Sequence, residues 1–179
     1  METRDVQPAQ VSVRVGFGAG GGANVSTGLA VLDHLVGELA RTAGMQLSLE
    51  VAPGTGDREA VAAGRALGEA LAGPLRADGA PGRGFAWLPA DEALAGAVLE
   101  VSERPLLASN VDFSGQRVGG LEGDVVARFL QELARGASLN IHIRVLEGKD
   151  PQNVLLAIFK GLGAAIGEAC RTSDRGRTR

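Results

Sequence analysis

The sequence predicts an α+β protein that arose by tandem duplication of a β-β-α-β-α unit, with helices covering each sheet on one face. Three observations indicate this fold class. Several short segments alternate apolar and polar residues, other segments carry apolar stripes at helical spacing, and the order of segments recurs in the second half of the chain. Either half alone, at about 85 residues, would have a small core, so we expect the two halves to pack as one unit.

The first half is predicted to span residues 10–83. Its opening strand is indicated by Val11, Val13 and Val15, which alternate with Ser12 and Arg14. The remaining predicted elements are a Gly-rich turn over 16–22, a helix that begins near Ser26 or Thr27, a strand over 45–51, and a helix over 58–72 that Gly73 and Pro74 end.

The second half is predicted to span residues 84–170 and repeats this order. Its predicted elements are strands around 85–101 and 106–113, a helix over 123–135, a strand over 139–145 and a helix over 151–169. The tetrapeptide Glu-Leu-Ala-Arg occurs at 38–41 and again at 132–135, which supports the duplication. Residues 1–9 are predicted to be a flexible N-terminus and residues 171–179 a disordered tail.

Composition excludes several functional classes. The net charge is −3 and aromatic residues make up 3% of the 179 residues, so the cationic and stacking surfaces of a nucleic-acid-binding protein are not expected. The single cysteine, Cys170, excludes an intrachain disulfide. We find no signal peptide and no apolar run long enough to span a bilayer, which predicts a cytoplasmic protein without membrane association.

A Gly-rich segment suggests one alternative function. Residues 16–21 match the G-x-G-x-x-G pattern of dinucleotide-binding proteins and lie between a predicted strand and a predicted helix. However, the strand has one polar face, whereas the corresponding strand of a dinucleotide-binding domain is apolar on both faces. A hairpin turn is the other interpretation of these glycines.

Four residues are candidates for a functional site. Arg104 lies in a turn between two predicted strands, and Lys160 is a lone cation in an apolar stretch of the last helix; an Arg fork and a Lys point charge suit a phosphate group. Alternatively, the Lys160 stem covers apolar surface while its ammonium reaches water. His34 and His142 lie on polar faces of a helix and a strand, and their separation does not match a metal-binding spacing.

With these residues, the chain resembles the imidazoleglycerol-phosphate dehydratase family of histidine biosynthesis. The resemblance extends over most of residues 10–170 and is carried by six segments: Ser26–Leu35 (STGLAVLDHL), Ala66–Leu71 (ALGEAL), Pro89–Leu94 (PADEAL), Ser102–Pro105 (SERP), Leu139–Arg144 (LNIHIR) and Ala157–Lys160 (AIFK). It implies the duplicated α+β fold, also found in the second domain of ribosomal protein S5, and a trimer-based homo-oligomer. Arg104 and Lys160 fall on the family's phosphate-contacting positions.

The resemblance also implies manganese bound by an H-H-x-x-E signature that opens the last helix of each half. The aligned residues here are different: the first signature falls on Asp57, Arg58 and Val61, and the second on Gln152, Asn153 and Leu156. His34 and His142 fall on two further histidine positions of the family, as remnants of its metal-ligand set. Two scattered imidazoles are too few to hold a catalytic ion.

The leading expectation is therefore a non-catalytic family member that has lost its manganese. It would serve as an oligomeric scaffold or bind a small phosphorylated ligand, and it could co-assemble with an active paralogue. The alternative is an active dehydratase, a carbon–oxygen lyase, whose metal site is relocated or shared between chains. A dinucleotide-binding module is the third hypothesis.

Overall fold

The computed structural model describes residues 10–18, 21–53 and 57–172. The predicted flexible N-terminus (1–9) and residues 173–179 of the predicted tail lie outside the described residues, as does part of the Gly-rich segment. Four helices and nine strands are described, in the order β1 (Val11–Phe17), β2 (Ala23–Ser26), α1 (Ala30–Ala43), β3 (Met45–Val51), α2 (Asp57–Leu75), β4 (Arg83–Ala90), β5 (Ala93–Val101), β6 (Leu106–Ser109), β7 (Arg117–Val118), β8 (Leu121–Glu122), α3 (Gly123–Ala137), β9 (Leu139–Glu147) and α4 (Pro151–Cys170).

Each half contributes one main sheet. The first sheet has the order β1-β3-β2, in which β3 runs antiparallel to β1 and parallel to β2. The second sheet has the order β4-β5-β9-β6, in which β9 is antiparallel to β5 and parallel to β6. The central strands β3 and β9 alternate buried and more exposed residues, because only one face of each sheet meets the helices.

The helices form the interior between the two sheets. In the first half, α1 and α2 pack on the first sheet; in the second half, α3 and α4 pack on the second sheet; and across the halves α1 packs on α4 and α2 on α3. A single buried apolar cluster includes residues of all four helices and both sheets. The predicted α+β fold, with helices on one face of each sheet, is therefore confirmed.

Glycines allow the helices of the two halves to approach closely. A Cβ atom on Gly163 of α4 would lie 2.2 Å from the backbone oxygen of Leu39 in α1. A Cβ atom on Gly68 of α2 would lie 2.4 Å from the backbone oxygen of Leu133 in α3. Side chains at these positions would push the helices apart, so the close packing of the halves depends on small residues.

Several predicted boundaries differ from the structure. The Gly-rich turn leads into a short strand, β2, and α1 begins only at Ala30, without a side-chain cap. The Thr27 hydroxyl instead donates a 2.5 Å hydrogen bond to the Asp33 carboxylate, which fixes the loop before α1. Helix α2 continues through Pro74 to Leu75, because Leu71 and Leu75 extend its buried stripe. The predicted strand over 85–101 is a hairpin with its turn at Asp91 and Glu92.

Helix α4 is long and apolar enough to cross a membrane by length and composition alone. However, 67% of its most apolar window is buried inside the fold. A helix with this burial is typical of the core of a globular domain.

Candidate functional site

The candidate site lies where helix α4 meets helix α1 and the turn between β4 and β5. Lys160 occupies this junction and is half-buried on α4. Its ammonium donates a 2.6 Å hydrogen bond to the backbone oxygen of Pro89 in β4. Its backbone oxygen accepts a 2.9 Å hydrogen bond from the hydroxyl of Thr42 in α1. The junction therefore fixes both the backbone and the ammonium of a residue that the sequence singled out.

Helix α1 contributes a polar face to the same junction. Glu38 accepts hydrogen bonds from Arg41 at 2.6 to 3.2 Å. The hydrogen bond from Arg41 lowers the pKa of Glu38, and the positive charges of Arg41, His34 and Lys160 lower it further, against a smaller opposing effect of burial. Glu38 is therefore an anion at neutral pH. Of the predicted site residues, His34 lies on α1 one turn before Glu38, and Lys160 lies on α4, which packs on α1.

The turn between β4 and β5 holds the beginning of α4. Glu92 in this turn accepts hydrogen bonds from the backbone nitrogens of Lys149 (3.2 Å) and Asp150 (2.9 Å) and from the side-chain amide of Asn153 (2.7 Å). These hydrogen bonds, that from Asp150 foremost, lower the pKa of Glu92 to about 2. Asp150 caps the helix by accepting a 2.8 Å hydrogen bond from the backbone nitrogen of Gln152.

Arg104 does not join Lys160 within one chain. Arg104 is exposed and follows β5, whose Glu100 pairs with Arg83 at the far end of the hairpin, whereas Lys160 contacts Pro89 near the turn. Pro89 lies six positions along β4 from Arg83, a length of about 20 Å. The two cations of the predicted phosphate site therefore lie at opposite ends of the β4–β5 hairpin.

His142 also lies away from His34. It occupies the outer face of the second sheet, which we define by the exposed side chains Phe85, Trp87, Val98 and His142; Phe85, Val98 and His142 form one row across three strands. A cavity of about 670 Å³ opens on this face. Asn140 lines that cavity, and its side-chain oxygen is buried without a hydrogen-bond partner among the described residues.

The residues aligned with the two metal signatures make ordinary protein contacts. Asp57 forms an ion pair with Arg128 of α3 at 3.3 Å, and Asn153 donates to Glu92. Val61 and Leu156 are half-buried aliphatic residues. Within residues 10–18, 21–53 and 57–172, no group of three or more His, Cys, Asp or Glu side chains is placed to hold a metal ion. The donors of one described chain therefore do not fit a manganese site.

Together these features define the chain as a duplicated α+β domain in which α4, α1 and a hairpin turn hold a cation at a polar junction. The sequence model of the imidazoleglycerol-phosphate dehydratase family matches residues 27–166. An imidazoleglycerol-phosphate dehydratase of Desulfitobacterium hafniense is 34% identical over 96% of this chain and 90% of its own length. One of Heliobacterium modesticaldum is 34% identical over 93% of this chain and 87% of its own length.

Solved structures give the same result. The crystal structure of the dehydratase from Pyrococcus furiosus superposes with a TM-score of 0.82 at 27% identity and covers 98% of this chain and 96% of its own. The Staphylococcus aureus dehydratase superposes with a TM-score of 0.80 at 25% identity, covering 96% and 97%. The chain belongs to the imidazoleglycerol-phosphate dehydratase family.

These matches correct two expectations drawn from the lost signatures. The expectation of a non-catalytic member is wrong, because relatives with up to 34% identity over nearly the whole chain carry the name of the enzyme. The expectation that manganese is lost is overturned by the same membership, since the family is metal-dependent. Substitution at aligned positions of one chain was not sufficient ground for either expectation.

The dinucleotide-binding alternative fails for a structural reason. Strand β2 stands between the Gly-rich segment and α1, so no helix begins directly after the glycines to receive a pyrophosphate. Two residues of the junction carried weak sequence signals. Glu92 belongs to the PADEAL segment, and Glu38 shares the predicted polar face of His34, but only the structure shows their contacts.

Proposed function

We propose that the chain is an imidazoleglycerol-phosphate dehydratase, a carbon–oxygen lyase that works in a homo-oligomer whose sites are completed by neighbouring copies. The observation that carries this proposal is the family match over residues 27–166, together with the cation Lys160 at the polar junction. The reaction class follows from the family: a carbon–hydrogen and a carbon–oxygen bond of the substrate break, and the proton and the hydroxyl group leave as water.

Lys160 is the proposed phosphate-binding residue of the junction. An ammonium group has three donors, and one is engaged with the Pro89 oxygen. Two donors are left for the oxygens of a phosphate group. The Pro89 contact also fixes the direction of the side chain, which reduces the entropy that phosphate binding costs.

Arg104 is the proposed second phosphate-binding residue, contributed by a neighbouring copy. It cannot reach Lys160 within its own chain, because the β4–β5 hairpin separates them. Its exposure leaves the guanidinium free to enter a site on another copy, where its planar fork suits a phosphate group. We expect phosphate or sulfate at this shared site and not at the Gly-rich segment.

His34 is the residue of the junction best suited to proton transfer. It is exposed on α1 one turn before Glu38, whose carboxylate is held by Arg41. Imidazole is the side chain that most often transfers protons in enzymes. The metal donors of one described chain are too few, so the proposal requires that donors of several copies combine. His142 is an imidazole that could act as one of these metal donors.

The outer face of the second sheet supports a homo-oligomer, which we propose to be trimer-based. Phe85 is 62% exposed, Val98 53% and Trp87 44%. Apolar side chains clustered on one sheet face are typical of a surface that another protein covers. Asn140 lines the cavity on the same face, and its side-chain oxygen has no hydrogen-bond partner among the described residues.

The test is turnover of imidazoleglycerol phosphate by the purified full chain in buffer with Mn²⁺. We expect turnover by the wild type and a loss of at least 100-fold in kcat/KM in Lys160→Met, which keeps the stem and removes the charge. Lys149→Met is the matched control, because Lys149 contacts Glu92 through its backbone nitrogen, which the substitution leaves in place; it should retain the wild-type rate. Absence of turnover by the wild type would contradict the proposal.

A further inference from the structure

The half-exposed stripe of α4 is held at two points by one hairpin. Asn153 and Lys160 are seven residues apart, so they lie within about 20° of the same helix face and about 10 Å apart along the axis. Glu92 in the hairpin turn binds Asn153, and Pro89, three residues earlier in the same hairpin, binds Lys160. The hairpin therefore fixes both ends of the helix face that carries the proposed phosphate-binding residue.

The contact with Glu92 also determines which way the Asn153 amide points. A carboxylate has only acceptor atoms, so it is the amide nitrogen of Asn153 that faces Glu92, at 2.7 Å. The amide oxygen must then face away from Glu92. Asn153 thereby presents a hydrogen-bond acceptor in a defined orientation on the same stripe as Lys160.

The backbone around Glu92 is built for this contact. Asp91 has φ +48°, a left-handed conformation that Asp tolerates better than most residues, and it lets β4 and β5 connect through a two-residue turn. On the other side, a Cβ atom on Gly148 would lie 3.0 Å from the Cβ of Ala93, so the loop before α4 passes close beside the turn. Glu92 thus reaches two backbone nitrogens of that loop as well as Asn153.

From this arrangement we propose that Glu92 is a positioning residue of the dehydratase site, acting through Asn153, whose amide oxygen contacts the bound ligand. This inference rests on the proposed function for the identity of the ligand. Glu92 itself contacts α4 and its preceding loop, so its effect on the ligand passes through Asn153.

The test is a reciprocal exchange of the two side chains in the full chain. Glu92→Gln can place an amide nitrogen against the nitrogen of Asn153, and Asn153→Asp places two carboxylates together. The double variant restores a donor–acceptor pair with its direction reversed and keeps the total charge of the wild type. Glu50→Gln, at an exposed position of β3 in the first sheet, is the matched control for the loss of one carboxylate.

Binding of imidazoleglycerol phosphate is measured by calorimetry well below the unfolding temperature of every variant. We expect each single variant to weaken binding at least fivefold, the double variant to bind at least threefold more tightly than Asn153→Asp alone, and Glu50→Gln to bind as the wild type does. A merely structural Glu92 would lower the unfolding temperature and leave the dissociation constant unchanged, which would overturn the proposal. The proposal would also be overturned if the effects of the two single variants on the binding free energy simply add in the double variant.

Turnover is recorded on the same proteins to separate this proposal from the proposed function. A wild type that binds with the expected pattern but shows no turnover contradicts the proposed function and leaves the role of Glu92 supported. A wild type that does not bind imidazoleglycerol phosphate overturns both.

Discussion

At the residue scale, Glu92 shows how one exposed side chain can organise two elements. Its carboxylate accepts three hydrogen bonds from the loop and the first turn of α4. All three require the ionised form or are strengthened by it, which is why the pKa falls to about 2 from the ordinary 4.5. An exposed carboxylate in a turn can therefore have a strongly lowered pKa when it accepts several hydrogen bonds.

The lowered pKa of Glu92 predicts a defined pH dependence of stability. Because the folded pKa lies below the unfolded one, the stabilisation is fully present above pH 4.5 and is lost as the pH falls through about 2. Glu92→Gln should therefore unfold at a lower temperature than the wild type at pH 7. The difference should shrink between pH 4.5 and pH 2, as measured by thermal unfolding followed by circular dichroism.

Glu103→Gln serves as the control for this pH series, since Glu103 is exposed in the turn after β5. Its unfolding temperature should track that of the wild type at every pH. A difference between wild type and Glu92→Gln that stays constant from pH 7 to pH 2 would show that ionisation of Glu92 does not stabilise the fold.

At the element scale, the contact between α1 and α4 depends on a missing side chain. A Cβ atom at Gly163 would lie 2.2 Å from the Leu39 oxygen and 2.3 Å from the Thr42 hydroxyl. Gly163→Ala should therefore separate the helices and lower the free energy of unfolding by about 1 to 3 kcal/mol, measured by urea denaturation. The Thr42 hydrogen bond to Lys160 should be weakened with it.

Gly37→Ala in α1 is the matched control for that substitution. Gly37 has nothing within 4 Å of the added methyl group, so the higher helix propensity of alanine should stabilise the protein by about 0.5 to 1 kcal/mol. If Gly163→Ala were as stable as Gly37→Ala, the close approach of α1 and α4 would not be required for stability.

The elements also show what the sequence could predict and where it failed. Long segments with a clear period, such as β3, α3 and α4, were predicted within a few residues. Gly44 and Ser138 end α1 and α3 in the same left-handed conformation, as the duplication leads one to expect. Strand β2 was missed because its four residues are too few to show a period. The end of α2 was placed too early, because the packing of Leu75 in the core continues the helix past Pro74.

The candidate site was harder to predict than the fold. The sequence analysis proposed Lys160 and Arg104 as a phosphate-binding pair, but Arg104 lies at the other end of the β4–β5 hairpin from Pro89, which Lys160 contacts. Glu92 entered the sequence analysis only as part of the PADEAL segment, without an assigned role. Contacts between residues more than 50 positions apart, such as Glu92 with Asn153, have no local pattern from which they could be read.

At the scale of the whole molecule, the outer face of the second sheet predicts assembly. Val98 is 53% exposed in the centre of this face. Val98→Lys should place a charge in the contact and convert the oligomer largely to monomers, as measured by light scattering with size-exclusion chromatography. The monomer should stay folded, because the Val98 side chain points away from the helices.

Ala77→Lys introduces the same side chain in the exposed loop between α2 and β4 and is the matched control. It should assemble like the wild type. An unchanged oligomer in Val98→Lys would exclude this face as the contact, and a monomeric wild type would contradict the proposed assembly itself.

The claim that sites are completed between copies is tested most directly by complementation of Arg104→Met with Lys160→Met. Each variant alone should be nearly inactive, because every one of its sites lacks a cation. If the two cations of a site come from different copies, random co-assembly after dissociation should restore about a quarter of the wild-type turnover, since about a quarter of sites would then have both. Turnover that stays at the level of the separate variants would contradict shared sites.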